Sequence, residues 1–294
     1  MAIFSQLDTL ISVCAAKDSA CWAVAAPRLL RHCPARRHIL IVPAQDLPLF
    51  KAITPPAYEV IEEDDILGHR GKSYIEAALS PQKKAQANWY LQQFIKIEAA
   101  RTAAPDALVL IWDADTVPLR PLSFIDEQGC ILLYAGALIE KPYLAMARAL
   151  FEIKNVPRNG FIAQNFACRA KTVQAFCAVI KARHGCHWID AVLNIANQNP
   201  DMSLSEYECL GLFMHSQNPE SWRRNWRSWE RFGVSLLGSP EQLYGKREAF
   251  LAQFFDYISF ENWDNGQKYS KRKITNQLYN WKKVLIRAWL KRLL

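Results

Sequence analysis

The sequence predicts an α/β fold built on a mostly parallel central sheet, and three observations predict it. Short apolar runs of strand length recur: TLISVC (residues 9–14), HILIVP (38–43), ALVLIWD (107–113) and CILLYAG (130–136). Rich in Val, Ile and Leu and without polar alternation, they have the composition of strands covered on both faces. Segments of helical length and composition stand between them at 20–32 and 81–103, and strands alternating with helices form βα units whose strands lie parallel. Finally, 51% of the 294 residues are apolar, and 10 Trp, 14 Phe and 10 Tyr stand against 11 Gly and 15 Pro. That composition buries a core for one large domain or two small ones and excludes disorder as the default state.

The remaining elements follow in chain order. Residues 55–71, with Pro55-Pro56, the acidic run 62–65, Gly68 and Gly71, read as a loop with a solvated acidic surface. Within the helix at 85–103, Trp89, Phe94 and Ile97 are spaced to reach a core, while Gln92, Gln93 and Lys96 share a neighbouring polar stripe. FIAQNFACR (161–169) reads as a strand, 171–185 as a helix stopped by Gly185, and 188–197 and 205–215 as two further helices. Ser205 is the N-cap of the last, with Glu208 three residues on as a capping-box partner.

No apolar run approaches the ~20 residues that span a bilayer, and MAIFSQLDTL has no basic stretch before an apolar one, so the chain reads as neither spanning nor secreted. The eight cysteines are scattered without a C-x-x-C pair, which suits free thiols in a reducing compartment. The net charge of +8 belongs to the end of the chain. Residues 271–294 hold eight Lys and Arg and no acid, so 1–270 are neutral overall. This excludes a basic groove running through the body, as a nucleic-acid enzyme would need, and divides the chain into a domain, 1–270, and a basic tail, 271–294. At helical spacing Ile274, Leu278, Trp281, Leu285, Ala288 and Trp289 share one face of the tail, interrupted by Lys282 and Arg292, opposite Lys283, Arg287 and Lys291. Such a helix lies in the interface of an anionic leaflet; docking on the domain or on a partner are its other uses.

The sharpest chemical signal is Asp113-Ala114-Asp115, directly after the apolar run ALVLI. Two carboxylates one residue apart, where a buried strand opens into a loop, can turn toward one divalent cation, and Mg²⁺ takes few protein carboxylates, leaving positions for substrate phosphates. A solvated acidic turn is the competing reading. In Trp222-Arg223-Arg224-Asn225-Trp226-Arg227-Ser228-Trp229-Glu230-Arg231, indoles alternate with guanidiniums, which suits phosphates or sugar faces, and equally surface cation–π pairs.

VLIWDADTVPLRPLSF resembles the metal-binding segment of glycosyltransferases of the A fold, where a D-x-D closes a strand and holds Mn²⁺ or Mg²⁺ against the diphosphate of a nucleotide sugar. NWYLQQFIKIEAA (88–100) and LSEYECLGLF (204–213) resemble segments of a bacterial group of uncharacterised chains of that type, so the resemblance covers residues 8–240. It implies a single domain of this type with a Rossmann-like, mostly parallel sheet, followed by the basic amphipathic helix. It implies Asp115 as direct metal ligand, Asp113 near the metal and the ribose, Gln92, Gln93 and Lys96 lining the donor site, Asp18 near the nucleotide, and His215 as a further metal ligand. Many relatives have Tyr-Gly after S-E-Y-E-x, where this chain has Cys209-Leu210-Gly211.

An inverting transfer needs a base for the acceptor hydroxyl. Residues two apart on a helix do not share a face, so one of Glu206 and Glu208 serves, with Glu206 the first choice; a retaining transfer stays open. The expectation is a cytoplasmic glycosyltransferase, peripheral on the inner face of the cell membrane. It would move a sugar from a nucleotide sugar to a glycan or lipid-linked acceptor, as in lipopolysaccharide or capsule synthesis, with no nucleic-acid partner. A metal-dependent nucleotidyl- or phosphotransferase using the same aspartates is the enzymatic alternative, and a basic membrane- or nucleic-acid-binding module the non-enzymatic one.

Overall fold

The computed structural model describes residues 7–264 and Gly266; the basic tail 271–294 lies outside the described residues. The elements run β1 (Leu7–Val13), α1 (Ser19–His32), β2 (Ala35–Val42), α2 (Leu47–Ile53), β3 (Tyr58–Glu62), α3 (Glu63–Leu67), α4 (Lys72–Ala78), α5 (Ala87–Arg101), β4 (Leu108–Trp112), β5 (Thr116–Pro118) and β6 (Ile131–Tyr134). They continue with α6 (Lys141–Leu150), β7 (Asn165–Arg169), α7 (Ala170–His184), α8 (Trp188–Gln198), α9 (Glu206–Gln217), β8 (Trp222–Asn225), α10 (Gly233–Leu237), α11 (Gly245–Leu251) and β9 (Tyr257–Ser259).

The fold is α/β. The central sheet has the order β3-β2-β1-β4-β7. Its first three pairs are parallel and β7 runs antiparallel to β4, with Trp112 opposite Asn165. All five residues of β4 are buried, which is why that run is wholly apolar. The chain builds outward from β1 to β3, then returns to place β4 on the other side of β1. The strand order therefore reverses between β1 and β4, and ligands of such sheets bind beyond the carboxyl ends at that point.

Four sequence expectations change. The stretch 55–71 contains β3 and α3; β3 is an edge strand with one pairing partner and mostly half-buried side chains, so YEVIE lacks the apolar run that marks an inner strand. CILLY does form β6, but it pairs with β8 in a separate two-stranded sheet. Residues 161–164 are not strand, and β7 begins at Asn165. The helix expected from residue 81 begins at Ala87.

Aromatic side chains tie the flanking helices together. Phe94 of α5 meets Trp188 of α8 edge to face at 5.3 Å, and Trp22 Nε1 of α1 donates to Thr54 Oγ1 (2.9 Å). All eight cysteines are free thiols and six of them are buried. A small sheet of β5 and β9 brings the end of the described chain back beside the aspartates, where Phe260 N donates to Asp115 O (2.7 Å). Among the described residues no helix is long and apolar enough to cross a membrane.

Candidate active site

A cavity of about 290 Å³ opens at the carboxyl ends of β1 and β4, at the point of strand-order reversal. Asp18 reaches it from the turn after β1, Asp113 and Asp115 from the turn after β4, Gln92, Gln93 and Lys96 from α5, and Glu206 from the first turn of α9. Seven residues singled out in the sequence thus converge, although up to 188 positions separate them (Asp18 to Glu206).

Lys96 organises the floor. Its Nζ donates to Asp113 Oδ1 (2.5 Å) and to Glu206 Oε1 (2.7 Å), and stands 4.9 Å from the centre of the Tyr207 ring. Tyr207 Oη donates to the same Asp113 oxygen (2.6 Å). Burial alone would lower the Lys96 ammonium, but Asp113 and Glu206 outweigh it and hold the group above its ordinary value. Burial raises the Glu206 carboxyl, partly offset by Lys96. Gln93 Oε1 accepts from Glu206 N (2.9 Å), occupying an amide that the start of a helix leaves without an internal partner.

Beside this ion-paired floor lies a group of acids short of cations. Burial, then Asp113, Glu261 and Asp18, push the Asp115 carboxyl up to about 8. Burial also raises Asp18, whose Oδ1 accepts from Asn262 Nδ2 (2.6 Å). Glu261 accepts from Gln164 Nε2 (2.7 Å), from Arg231 Nε (2.5 Å) and from the Trp263 indole. Gln164 sits at φ 61°, a left-handed conformation that a non-glycine residue adopts at a cost. There its carbonyl accepts from Asp113 N (3.0 Å) while its amide reaches Glu261, tying the two acid-bearing segments together.

Among the described residues no three His, Cys, Asp or Glu side chains form a ready-made metal cage. The donor set nevertheless fits a hard divalent cation of the Mg²⁺ or Mn²⁺ kind, which binds through one or two carboxylates and completes its shell with water and phosphate. Asp115 is the residue that could hold it. Asp113 Oδ1 is taken up by Lys96 and Tyr207, whereas Asp115 faces acids whose mutual repulsion a cation would relieve.

Two expected site residues lie outside the cavity. Glu208 does not line the cavity: it is 2% exposed, Phe161 N donates to its Oε1 (3.1 Å), and Oε2 has no partner among the described residues. Nor does its carboxylate complete a capping box; Ser205 Oγ accepts from Glu208 N (3.3 Å), while the acid side chain turns away toward Phe161. His215 is near the far end of α9, its ring 5.6 Å from Trp222 with Nδ1 unpartnered among the described residues, and it is not among the cavity residues. Of the Trp/Arg run, Arg231 reaches the cavity; Arg224 is spent on the carbonyls of Tyr134, Asn159 and Gly160. Sequence reasoning missed Glu261, Gln164 and Trp263. A signal for Glu261 existed, since the run YISF ends on it as ALVLIW ends on Asp113.

An α/β chain with an acidic cavity at its strand-order reversal is the class that fold and site define. Residues 28–226 match the family of unknown function DUF6492, and the chain belongs to that family. No curated protein matches it. Among solved structures it is similar to mouse xyloside xylosyltransferase 1 in its apo form, with 10% identity, 87% of this chain and 98% of that one covered, and a TM-score of 0.48. It is also similar to an active-site mutant of LgtC, with 10% identity, 96% and 95% covered, and a TM-score of 0.48. Galactosyltransferase LgtC in complex with donor and acceptor sugar analogues has 9% identity, 96% and 95% covered, and a TM-score of 0.42.

Proposed function

We propose that this chain is a metal-dependent glycosyltransferase that moves a sugar from a nucleotide sugar to a glycan or lipid-linked acceptor, in the synthesis of a bacterial surface polysaccharide. One observation carries the reading: Asp18, Asp113, Asp115 and Glu261 gather at the sheet's strand-order reversal around an ion-paired Lys96. An acid group that repels itself is complementary to a cation with a diphosphate, and the resemblance around Asp113-Ala114-Asp115 points the same way.

In this reading Asp115 holds Mn²⁺ or Mg²⁺, which when bound offsets charge developing on the departing diphosphate. Asp113, fixed by Lys96 and Tyr207, faces the ribose side of the donor, and Asp18, Gln92 and Gln93 line its path. Arg231 adds a guanidinium at the same cavity. Glu206 is assigned as the base that takes the acceptor proton in an inverting transfer; Lys96 keeps the carboxylate in place until then.

Thermal-shift measurements with UDP-, GDP- and CDP-sugars, with and without Mn²⁺, test this reading, because a ligand of the native state raises apparent stability by mass action. Stabilisation is expected to need both Mn²⁺ and Asp115, to vanish in Asp115→Ala, and to accompany slow release of nucleoside diphosphate. Release of pyrophosphate would instead mark a nucleotidyltransferase, and stabilisation that survives Asp115→Ala would sink the metal assignment. The tail's eight cations support attachment to the inner, anionic face of the cell membrane. Full-length protein is then expected to sediment with anionic vesicles and to be partly released by salt, whereas salt-independent sedimentation, or none, would remove that role.

A further inference from the structure

The large apolar side chains of the described residues are mostly buried, yet two indoles stand half-exposed on the cavity wall: Trp89 at 41% and Trp263 at 53%. They come from different walls, α5 and the segment after β9. Each has its N–H occupied, Trp89 Nε1 donating to Leu204 O (2.8 Å) and Trp263 Nε1 to the Glu261 carboxylate. Phe232 edge-on at 5.4 Å and the Arg231 guanidinium at 5.0 Å hold the Trp263 ring further. What such an indole still offers a ligand is a π face, at Trp263 the one opposite the Arg231 guanidinium. Keeping that face in water forgoes burial worth about 25 cal/mol per Å². The floor is of the opposite character, for Gln93, Lys96 and Glu206 are each 2% exposed.

A polar floor under an aromatic rim suits one kind of ligand. A pyranose ring has a face of C–H groups, polarised positive by the attached oxygens, and an equator of hydroxyls. The C–H face meets the negative face of an indole, and the hydroxyls meet carboxylates and amides such as Glu140 and Gln92, which line the same cavity. A lipid phosphate fits poorly. Its charge would face Glu140 and Glu261, and the cation on that side, Arg231, is already paired with Glu261 (2.5 Å).

We propose that Trp89 and Trp263 form the acceptor subsite, and that the group presented there is a carbohydrate ring rather than a lipid phosphate. The proposal rests on the glycosyl-transfer reading above and names its acceptor class. Saturation-transfer NMR on the full-length protein with Mg²⁺ tests it, using methyl β-glucoside, methyl β-galactoside, methyl α-mannoside and lactose, with decyl phosphate as the lipid-phosphate probe. At least one glycoside is expected to receive saturation on the C–H protons of one ring face. Trp263→Ala and Trp89→Ala should each weaken its binding about tenfold, or 1.4 kcal/mol, whereas Trp263→Phe, which keeps an aromatic face and lacks the N–H, should retain most of it. Silence from all four glycosides, equal loss in Trp263→Phe and Trp263→Ala, or tryptophan-dependent binding of decyl phosphate would each overturn the subsite. Thermal shifts of the same samples with UDP, GDP, CDP and ADP separate the two ideas. Nucleotide binding without glycoside binding removes the subsite alone; glycoside binding without nucleotide binding leaves a carbohydrate site but removes the glycosyl-transfer reading and, with it, the acceptor role.

Discussion

Glu206 and Glu208 lie on the same turn of α9, both 2% exposed, and they face different surroundings. Glu206 meets the Lys96 ammonium at 2.7 Å on the cavity side. Glu208 points to the opposite side, against the backbone of residues 160–162, where Arg224, a cation that acts on it, is bonded to carbonyls instead. Burial pushes the Glu208 carboxyl up to about 7, with the Phe161 and Ile162 amides pulling the other way. Burial raises both carboxyls; at Glu206 the Lys96 ammonium opposes it, and at Glu208 backbone amides do. Two residues of spacing on a helix are enough to separate a site group from one that shapes the wall behind the site.

That wall matters because the segment Glu208 supports carries Ile162 and Gln164 into the cavity. Two glycines let α9 approach it. A Cβ at Gly160 would collide with the Glu208 carboxylate, and one at Gly211 with the Phe161 ring.

The comparison breaks most readily at Lys96. Lys96→Met leaves the Asp113 and Glu206 carboxylates buried without their shared cation, and is expected to cost about 3–5 kcal/mol in chemical denaturation. A loss below ~1 kcal/mol would mean that the two acids do not depend on it. The next effect is smaller and depends on pH. Folding raises the Glu208 pKa from 4.5 to about 7, so in that window the folded chain keeps a proton that the unfolded chain has released. Stability therefore falls as pH rises through the window, by about 1.4 kcal/mol per unit and roughly 3 kcal/mol across it. Glu208→Gln keeps an oxygen for Phe161 N and removes the titration. Its stability relative to the parent is expected to increase from pH 5 to pH 8, and parallel pH profiles would show that Glu208 does not titrate there. Gly211→Ala forces Phe161 aside and should cost about 1–3 kcal/mol, with nucleotide binding weakened through Gln164. Unchanged stability would show that the close approach has slack.

Much of this was legible in the chain itself. The runs at 9–14, 38–43 and 107–113 are central strands because a strand covered on both faces is mostly apolar, and composition records that directly. Asp113 and Asp115 were legible for a related reason, as acids that end such a run. The Gln92, Gln93 and Lys96 stripe was visible by helical period, and all three line the cavity. β3 was hidden because an edge strand needs only one apolar side, and its acidic neighbours imitate a loop. His215 lies outside the cavity because α9 carries it away along the helix axis.

By itself, then, the sequence determined the alternation of elements, the strand-end aspartates and the location of the net charge, all properties set by residue type within a few positions of each other. The tertiary structure decided which acid of the Glu206/Glu208 pair faces the cavity, because that depends on what packs against each side of α9. It also decided that Glu261, Arg231 and Trp263 return to the aspartates from more than 100 residues away. That return is made by the pairing of β9 with β5 and the Phe260 bond to Asp115. Such contacts depend on chain closure over long separations, for which neighbouring residues carry no periodic signal.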